Sequence, residues 1–295
     1  AWAGLGYYRR ARLLHAAATH LLIVSVDGLA YPTLQRFLPR LPTLRKLARR
    51  GFRRPMTTVF PSMTWASHVS AMTGQYPRVH GILGNRWYQS GKGLVRPYAG
   101  QTSDKDRQAR TPSLYDLVHA QGWTTAAINW SATQYADTVT YNLPESMYSK
   151  VLPGRLLSPS LIPLLRDLRP TRRFTGKRRR GKRLGKRWRK RVGEIMKRED
   201  LSSDRLSTDI ALRLLRLPKA KVPRLMMLHY VAADSVQHVR GMRSPKLFTT
   251  VRALDRMLAE VLRGYRRAGI PEQRLAVLVM SDHGFSEVHR TMDLR

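Results

Sequence analysis

The sequence predicts an α/β domain built on a mostly parallel sheet with helices on both faces. Three short apolar runs carry that prediction: residues 21–26 before Asp27, 225–231 before Asp234, and 275–280 before Asp282. Each is about strand length, and helical patterning lies between them; strands alternating with helices bury both sheet faces. In such sheets ligands bind outside the carboxyl ends of the strands, where Asp27, Asp234 and Asp282 fall. With 295 residues, 42% of them apolar, the chain can bury a large core and fits one sizeable domain better than two small ones.

The elements follow in order. Residues 1–19 read as a small appended helical segment and 20–295 as the domain, with a basic insertion at about 170–198. The strand at 21–26 leads to a helix over residues 42–50, closed by Gly51. A second helix begins at about Trp65 and ends near Gly74, which puts Thr64 at a helix N-terminus. Residues 113–121 read as a helix ended by Gly122, and 124–128 as a strand. Ser202 or Ser203 can cap a helix running to Leu215, and Ser244-Pro245 opens a long helix to Ala268. No internal repeat is present.

Composition excludes several chemistries. The chain has no cysteine, so disulfides, thiolate zinc sites, iron–sulfur clusters and a cysteine nucleophile are ruled out, and any metal must be held by His, Asp, Glu or hydroxyl ligands. No apolar stretch approaches the roughly 20 residues of a membrane span, so the expectation is a soluble or peripheral protein. Arg9-Arg10 before an apolar run is a weak export signal, and no signal peptide is evident.

The net charge is +35, from 54 Lys plus Arg against 19 Asp plus Glu, which predicts attraction to polyanions or anionic surfaces. Residues 172–191 (RRFTGKRRRGKRLGKRWRKR) hold Lys or Arg at most positions and no acid, and read as a solvated, mobile insertion. With one Phe, one Trp and no heptads, nonspecific electrostatics fits this run better than sequence-specific nucleic-acid recognition.

Two of the three aspartates have a histidine at ligand spacing, Asp234 with His238 and Asp282 with His283. These ligands suit zinc, and two ions about 4 Å apart can clamp the attacking and leaving oxygens of a phosphoryl transfer. A hydroxyl is a poor nucleophile until a metal lowers its pKa, and a helix N-terminus adds N–H groups for phosphate oxygens. Thr64 has both advantages, and Ser62 in the same loop competes with it. His68 reads as structural, holding its helix or a neighbouring loop, and His80 and His229 as packing residues.

The stretch Phe60-Pro61-Ser62-Met63-Thr64-Trp65-Ala66-Ser67-His68, followed by Thr73-Gly74, Tyr76-Pro77 and His80-Gly81-Ile82-Leu83-Gly84-Asn85, resembles the nucleotide pyrophosphatase/phosphodiesterase branch of the alkaline phosphatase superfamily. The resemblance runs from about His20 to Phe285 and implies an alkaline-phosphatase-like fold. It favours Thr64 over Ser62 as nucleophile and makes Asn85 a phosphate-binding residue. It implies two zinc ions, one held by Asp27, Thr64, Asp282 and His283, the other by Asp234 and His238. The implied reaction is attack by Thr64 on a phosphodiester or pyrophosphate bond, a covalent threonine intermediate, and its hydrolysis. Asn129-Trp130 and residues 141–145 also resemble family segments, without an assigned role.

Two departures stand out. Ala66 occupies the position of the family's usual proline, a change confined to the local turn. The second zinc normally takes a further histidine far downstream, whereas this sequence runs to Arg295 and His289 lies too close to His283 to serve. The expectation is a chain truncated at its C-terminus, with an incomplete ligand shell at the second metal and weak or absent activity. Family members are often exported, which implies a periplasmic or extracellular location. The same core serves phosphomonoesterases, phosphonate hydrolases and, with a different nucleophile, sulfatases. A rival from another class is a noncatalytic polyanion-binding protein. Residues 2–15 resemble a short segment of adenine-specific DNA glycosylases, but that family's hairpin, catalytic aspartate and cysteine cluster have no counterpart here, so base excision is not expected.

Overall fold

The computed structural model describes residues 18–91, 93–95, 109–145, 157–165 and 200–287. Among them are seven strands: β1 (His20–Val26), β2 (Trp87–Gln89), β3 (Gly93–Val95), β4 (Thr125–Trp130), β5 (Tyr141–Pro144), β6 (Leu225–Tyr230) and β7 (Leu275–Met280). Five of them form one sheet in the order β5-β4-β6-β1-β7, every neighbouring pair parallel, while β2 and β3 make a separate antiparallel hairpin. The helices are α1 (Tyr31–Phe37), α2 (Pro42–Arg50), α3 (Thr64–Thr73), α4 (Pro77–His80), α5 (Leu114–Ala120), α6 (Leu161–Leu165), α7 (Leu201–Leu214), α8 (Ala232–Arg240) and α9 (Pro245–Arg267). The parallel sheet and its flanking helices are the architecture that the three apolar runs predict.

Both sheet faces are covered, which is why the strands read as apolar runs rather than as alternating patterns. On one face Leu22, Val24, Val26, Met226 and Leu228 pack with Leu44 of α2, Ile210 and Leu214 of α7, and Val251, Leu254 and Leu258 of α9. On the other, Ile23, Ala127 and Met227 pack with Met72 of α3 and Tyr115 of α5. The methionines and aromatics of β6 thus fill the core, as expected.

Caps define the helix ends. Ser113 and Asp116 form a reciprocal capping box at α5, and Ser244 caps α9 by accepting the Lys246 N–H. The start of α7 differs from expectation. Its cap is Asp200, whose carboxylate accepts the Ser202 N–H at 2.8 Å, so Ser202 and Ser203 lie inside the helix; a carboxylate there also opposes the positive end of the helix dipole.

The N-cap of α2, Leu41, has no oxygen in its side chain, and α2 is capped from another helix instead. The buried Asp255 of α9 accepts the Leu44 N–H at 2.8 Å and the Thr43 N–H at 3.2 Å. Asp255→Ala leaves those donors unsatisfied and is expected to lower stability by about 1–3 kcal/mol, read as a reduced urea midpoint; an unchanged midpoint would show that water replaces the carboxylate at no cost.

No helix among the described residues is long and apolar enough to cross a membrane. The basic insertion, the resembling segment at residues 2–15 and all but the last two residues of the appended segment lie outside the described residues.

Candidate metal centre

The register of the sheet assembles the site. Val26 pairs with Tyr230 and Ser25 with Met280, so Asp27, Val231 and Asp282 leave the sheet at one level on three adjacent strands. Asp27 follows β1 directly, and Asp282 follows β7 after the single residue Ser281. Asp234 differs, because the chain turns into α8 at Ala232 and presents Asp234 from the first helical turn, with His238 one turn further on. The His238 Nε2 lies 3.3 Å from Asp234 Oδ2.

Four chain segments converge on the His283 ring. Its Nε2 lies 3.3 Å from Asp27 Oδ1, 3.5 Å from Asp282 Oδ2, 3.9 Å from Asp234 Oδ1 and 3.4 Å from the Thr64 hydroxyl. Those same three carboxylate oxygens are buried and have no hydrogen-bond partner among the described residues. Buried anionic oxygens without donors are costly unless a cation joins them. Candidate ligand atoms of Asp27, Asp282 and His283 all lie within 4.8 Å of one another. The donor set of carboxylates, imidazoles and a hydroxyl is one that suits a divalent metal such as zinc.

Electrostatics agree with that reading. Burial, followed by the neighbouring Asp282 and Asp234 carboxylates, holds Asp27 well above the usual carboxylate range, and burial raises Asp234 as well. Like charges packed together resist joint ionisation until a cation compensates them.

Gly28 makes the close packing at Asp27 feasible. It has φ of +67°, and a Cβ there would come within 2.7 Å of the Phe285 ring and 3.1 Å of Asp234 Oδ1. Its N–H donates to Asp282 Oδ1 at 3.2 Å and its carbonyl accepts from Gln237 Nε2 at 2.9 Å, so one residue ties the three segments together. Gly28→Ala is expected to strain this turn and push Asp234 away, weakening metal binding about tenfold, a typical cost of disturbing ligand support; isothermal titration with zinc that gives wild-type affinity would contradict it.

Thr64 is buried at the first position of α3, level with the cluster, and the Trp65 N–H donates to Asn85 Oδ1 at 3.1 Å. That bond uses the amide oxygen of Asn85 and leaves its NH2 group as the donor beside the helix N-terminus. Ser62, the competing hydroxyl, is exposed. His68, one turn along α3, forms the buried link expected of a structural residue: its Nε2 pairs with Ser25 of β1 at 2.8 Å and its Nδ1 with Ser131 at 2.9 Å, and Ser131 donates to Glu145. Burial, with His229 next in effect, lowers His68 to about 3, so the ring is neutral. Thr58 donates to the Asp282 carbonyl at 2.7 Å and pairs with Ser67 at 2.9 Å, joining the α3 segment to the loop after β7.

His80 is a packing residue as expected, bonded to Ser70 and to the Ile82 N–H. His229 is more than that, and sequence reasoning missed it. Its Nδ1 donates to the Asn129 carbonyl at 3.0 Å, which aims Nε2 at Asp27 Oδ2, 3.1 Å away. Burial raises Asp27 and lowers His229, disfavouring the charged form of each. In the sequence His229 sits inside the apolar β6 run, and its only signal is a polar residue one strand away from Asp27.

The chain is similar along most of its length to known proteins. The family described as type I phosphodiesterase / nucleotide pyrophosphatase matches residues 21–295. Venom phosphodiesterase 2 of Crotalus adamanteus is 21% identical over 269 residues, covering 91% of this chain and 27% of the venom protein. An uncharacterized pyrophosphatase/phosphodiesterase of Schizosaccharomyces pombe is 24% identical over 275 residues, covering 90% of this chain and 44% of that protein. Among solved structures, murine ectonucleotide pyrophosphatase/phosphodiesterase 5 superposes with a TM-score of 0.59 at 16% identity, covering 90% of this chain and 57% of that one, which shows the shared fold. The chain spans about a quarter of the length of the venom relatives it matches.

Proposed function

The chain belongs to the type I phosphodiesterase / nucleotide pyrophosphatase family, and from that premise we propose that it carries the catalytic core of a zinc-dependent hydrolase of phosphodiester or pyrophosphate bonds, including those of nucleotides. The observation that carries this reading is the convergence on His283, beside the Thr64 hydroxyl, of three buried carboxylate oxygens without a hydrogen-bond partner among the described residues. Asp27, Thr64, Asp282 and His283 would hold one ion, and Asp234 with His238 a second.

Bound zinc would supply Lewis acidity, lowering the hydroxyl pKa and offsetting charge on the phosphoryl oxygens. The protein's own residues do the rest. Thr64, fixed at the start of α3, attacks phosphorus as the bond to the leaving oxygen breaks, and water then cleaves the resulting threonine phosphoester. Asn85 donates its NH2 to a nonbridging oxygen, where negative charge grows in the transition state. His68 and Asn85 keep α3 in register with the sheet edge, so the hydroxyl needs little reorganisation before attack.

The test is hydrolysis of a chromogenic nucleotide phosphodiester by the purified chain, with and without a chelator. Turnover that chelation removes and zinc restores supports the reading. Asp282→Asn is expected to raise the zinc concentration for half-activity on the order of tenfold or more without unfolding the chain, as judged by circular dichroism. Chelator-resistant turnover would sink the metal assignment. Hydrolysis of monoesters in preference to diesters would instead place the chain among phosphomonoesterases on the same core.

The net charge of +35 supports a separate activity, nonspecific binding of polyanions through residues 172–191. Deleting that run should collapse nucleic-acid affinity and leave zinc-dependent hydrolysis intact.

A further inference from the structure

α8 carries Asp234 and His238 but lacks the means to secure its own start. Its N-cap Val231 and its first residues Ala232 and Ala233 have no side-chain acceptor, and Val231 makes no capping bond. The N–H groups at a helix start need partners, and here they are buried.

The partner comes from α7, nearly thirty residues earlier in the chain. Asp204 is fully buried; its Oδ1 accepts the Val231 N–H at 2.8 Å and its Oδ2 the Ala232 N–H at 3.1 Å. A second link lies alongside, where Thr208 donates to the Asp204 carbonyl and pairs with the Tyr230 hydroxyl at 2.9 Å. The carboxylate is bidentate on consecutive amides, so it sets both the position and the direction in which the chain leaves β6. Asp234 follows two residues later.

We propose that Asp204 is the positioning residue of the second metal subsite: by clamping the Val231 and Ala232 amides it fixes α8, and with it the Asp234 and His238 side chains, relative to Asp27 and Asp282. The inference rests on the metal reading above. Among the described residues the Asp204 carboxylate bonds the Val231 and Ala232 amides and no proposed metal ligand, so its effect passes through the helix backbone. A generic core carboxylate could have been placed anywhere under α7; this one accepts both the Val231 and the Ala232 N–H at the uncapped end of the ligand-bearing helix.

The test is hydrogen exchange on the full chain, read segment by segment in the metal-free state and over a zinc titration, for wild type, Asp204→Ala and Asp204→Asn. In Asp204→Ala the amides of α8 are expected to exchange at least about tenfold faster, with α9 and β1 unchanged, and the zinc midpoint for protecting α8 should rise on the order of tenfold. Asp204→Asn keeps one acceptor oxygen and should fall between the two, which also guards against an alanine variant that does not fold. Unchanged α8 exchange, or a uniform acceleration of the whole core, would overturn the proposal. So would a wild-type zinc midpoint in the alanine variant. If zinc protects no segment of the wild-type chain, the metal reading fails by itself, and the metal-free exchange of α8 still decides whether Asp204 holds that helix.

Discussion

Thr64→Ala is expected to cut hydrolysis of a nucleotide phosphodiester by roughly 10⁴- to 10⁶-fold, the range for deletion of a nucleophile or its activating partner, with the fold intact. The large effect follows from what the hydroxyl does in the proposed reaction: it forms the bond to phosphorus, and no other hydroxyl shares its place. Ser62 is exposed, whereas Thr64 is buried 3.4 Å from His283 Nε2. The small structural effect follows from position. Thr64 is the first residue of α3 rather than its cap, and among the described residues its hydroxyl pairs with His283 rather than with a backbone donor. A thermal melt of the variant should therefore lie within a few degrees of wild type, a shift of about 1 kcal/mol or less. Thr64→Ser should keep measurable turnover, and intact-protein mass spectrometry of a quenched reaction should find a nucleotidyl adduct in wild type and none in the alanine variant. Loss of turnover in Ser62→Ala with Thr64→Ala active would reverse the assignment.

A second large effect is expected from acid. His68 has its folded-state value lowered from 6.5 to about 3, chiefly by burial. The unfolded chain therefore binds this proton between those values while the folded chain refuses it, so the contribution of His68 to stability is complete above pH 6.5 and is lost as pH falls toward 3. The full difference is worth roughly 5 kcal/mol, at about 1.4 kcal/mol per pKa unit. Asp27, Asp234 and Asp204 are raised and act in the opposite sense, being protonated in the folded chain over part of the same window. A comparison of wild type with His68→Gln cancels them. At pH 7 the variant should be the less stable, having lost the links to Ser25 and Ser131. Below pH 6.5 the gap should narrow as pH falls and then reverse, measured as urea midpoints at each pH. A gap independent of pH would mean that His68 is not held neutral in the core.

What was legible in the sequence were the parts governed by local chemistry. The apolar runs had to be strands buried on both faces, Gly51, Gly74 and Gly122 had to follow helices, and Pro245 after Ser244 had to open one. Asp27, Asp282 and His283 were readable because strand ends in a parallel sheet share one edge, and Thr64 because its motif lies at a helix start. Asp234 was readable as a candidate ligand but not as a helix residue, since the break between β6 and α8 carries no cap in its own sequence.

The rest depended on tertiary structure, because it consists of groups that meet only across the fold. Asp255 caps a helix more than 200 residues earlier, Asp204 secures the start of α8, and Gly28 joins segments carrying Asp234 and Asp282. His229 looked like core packing because, in a one-dimensional reading, a histidine within an apolar run has no partner; the register of β6 against β1 supplies Asp27. Sequence alone determined which residue types reach the sheet edge, since that follows from strand length and chain order. Only the folded packing decided which backbone donors and side chains hold them there, since a buried polar group finds its partner in whatever segment the core brings beside it.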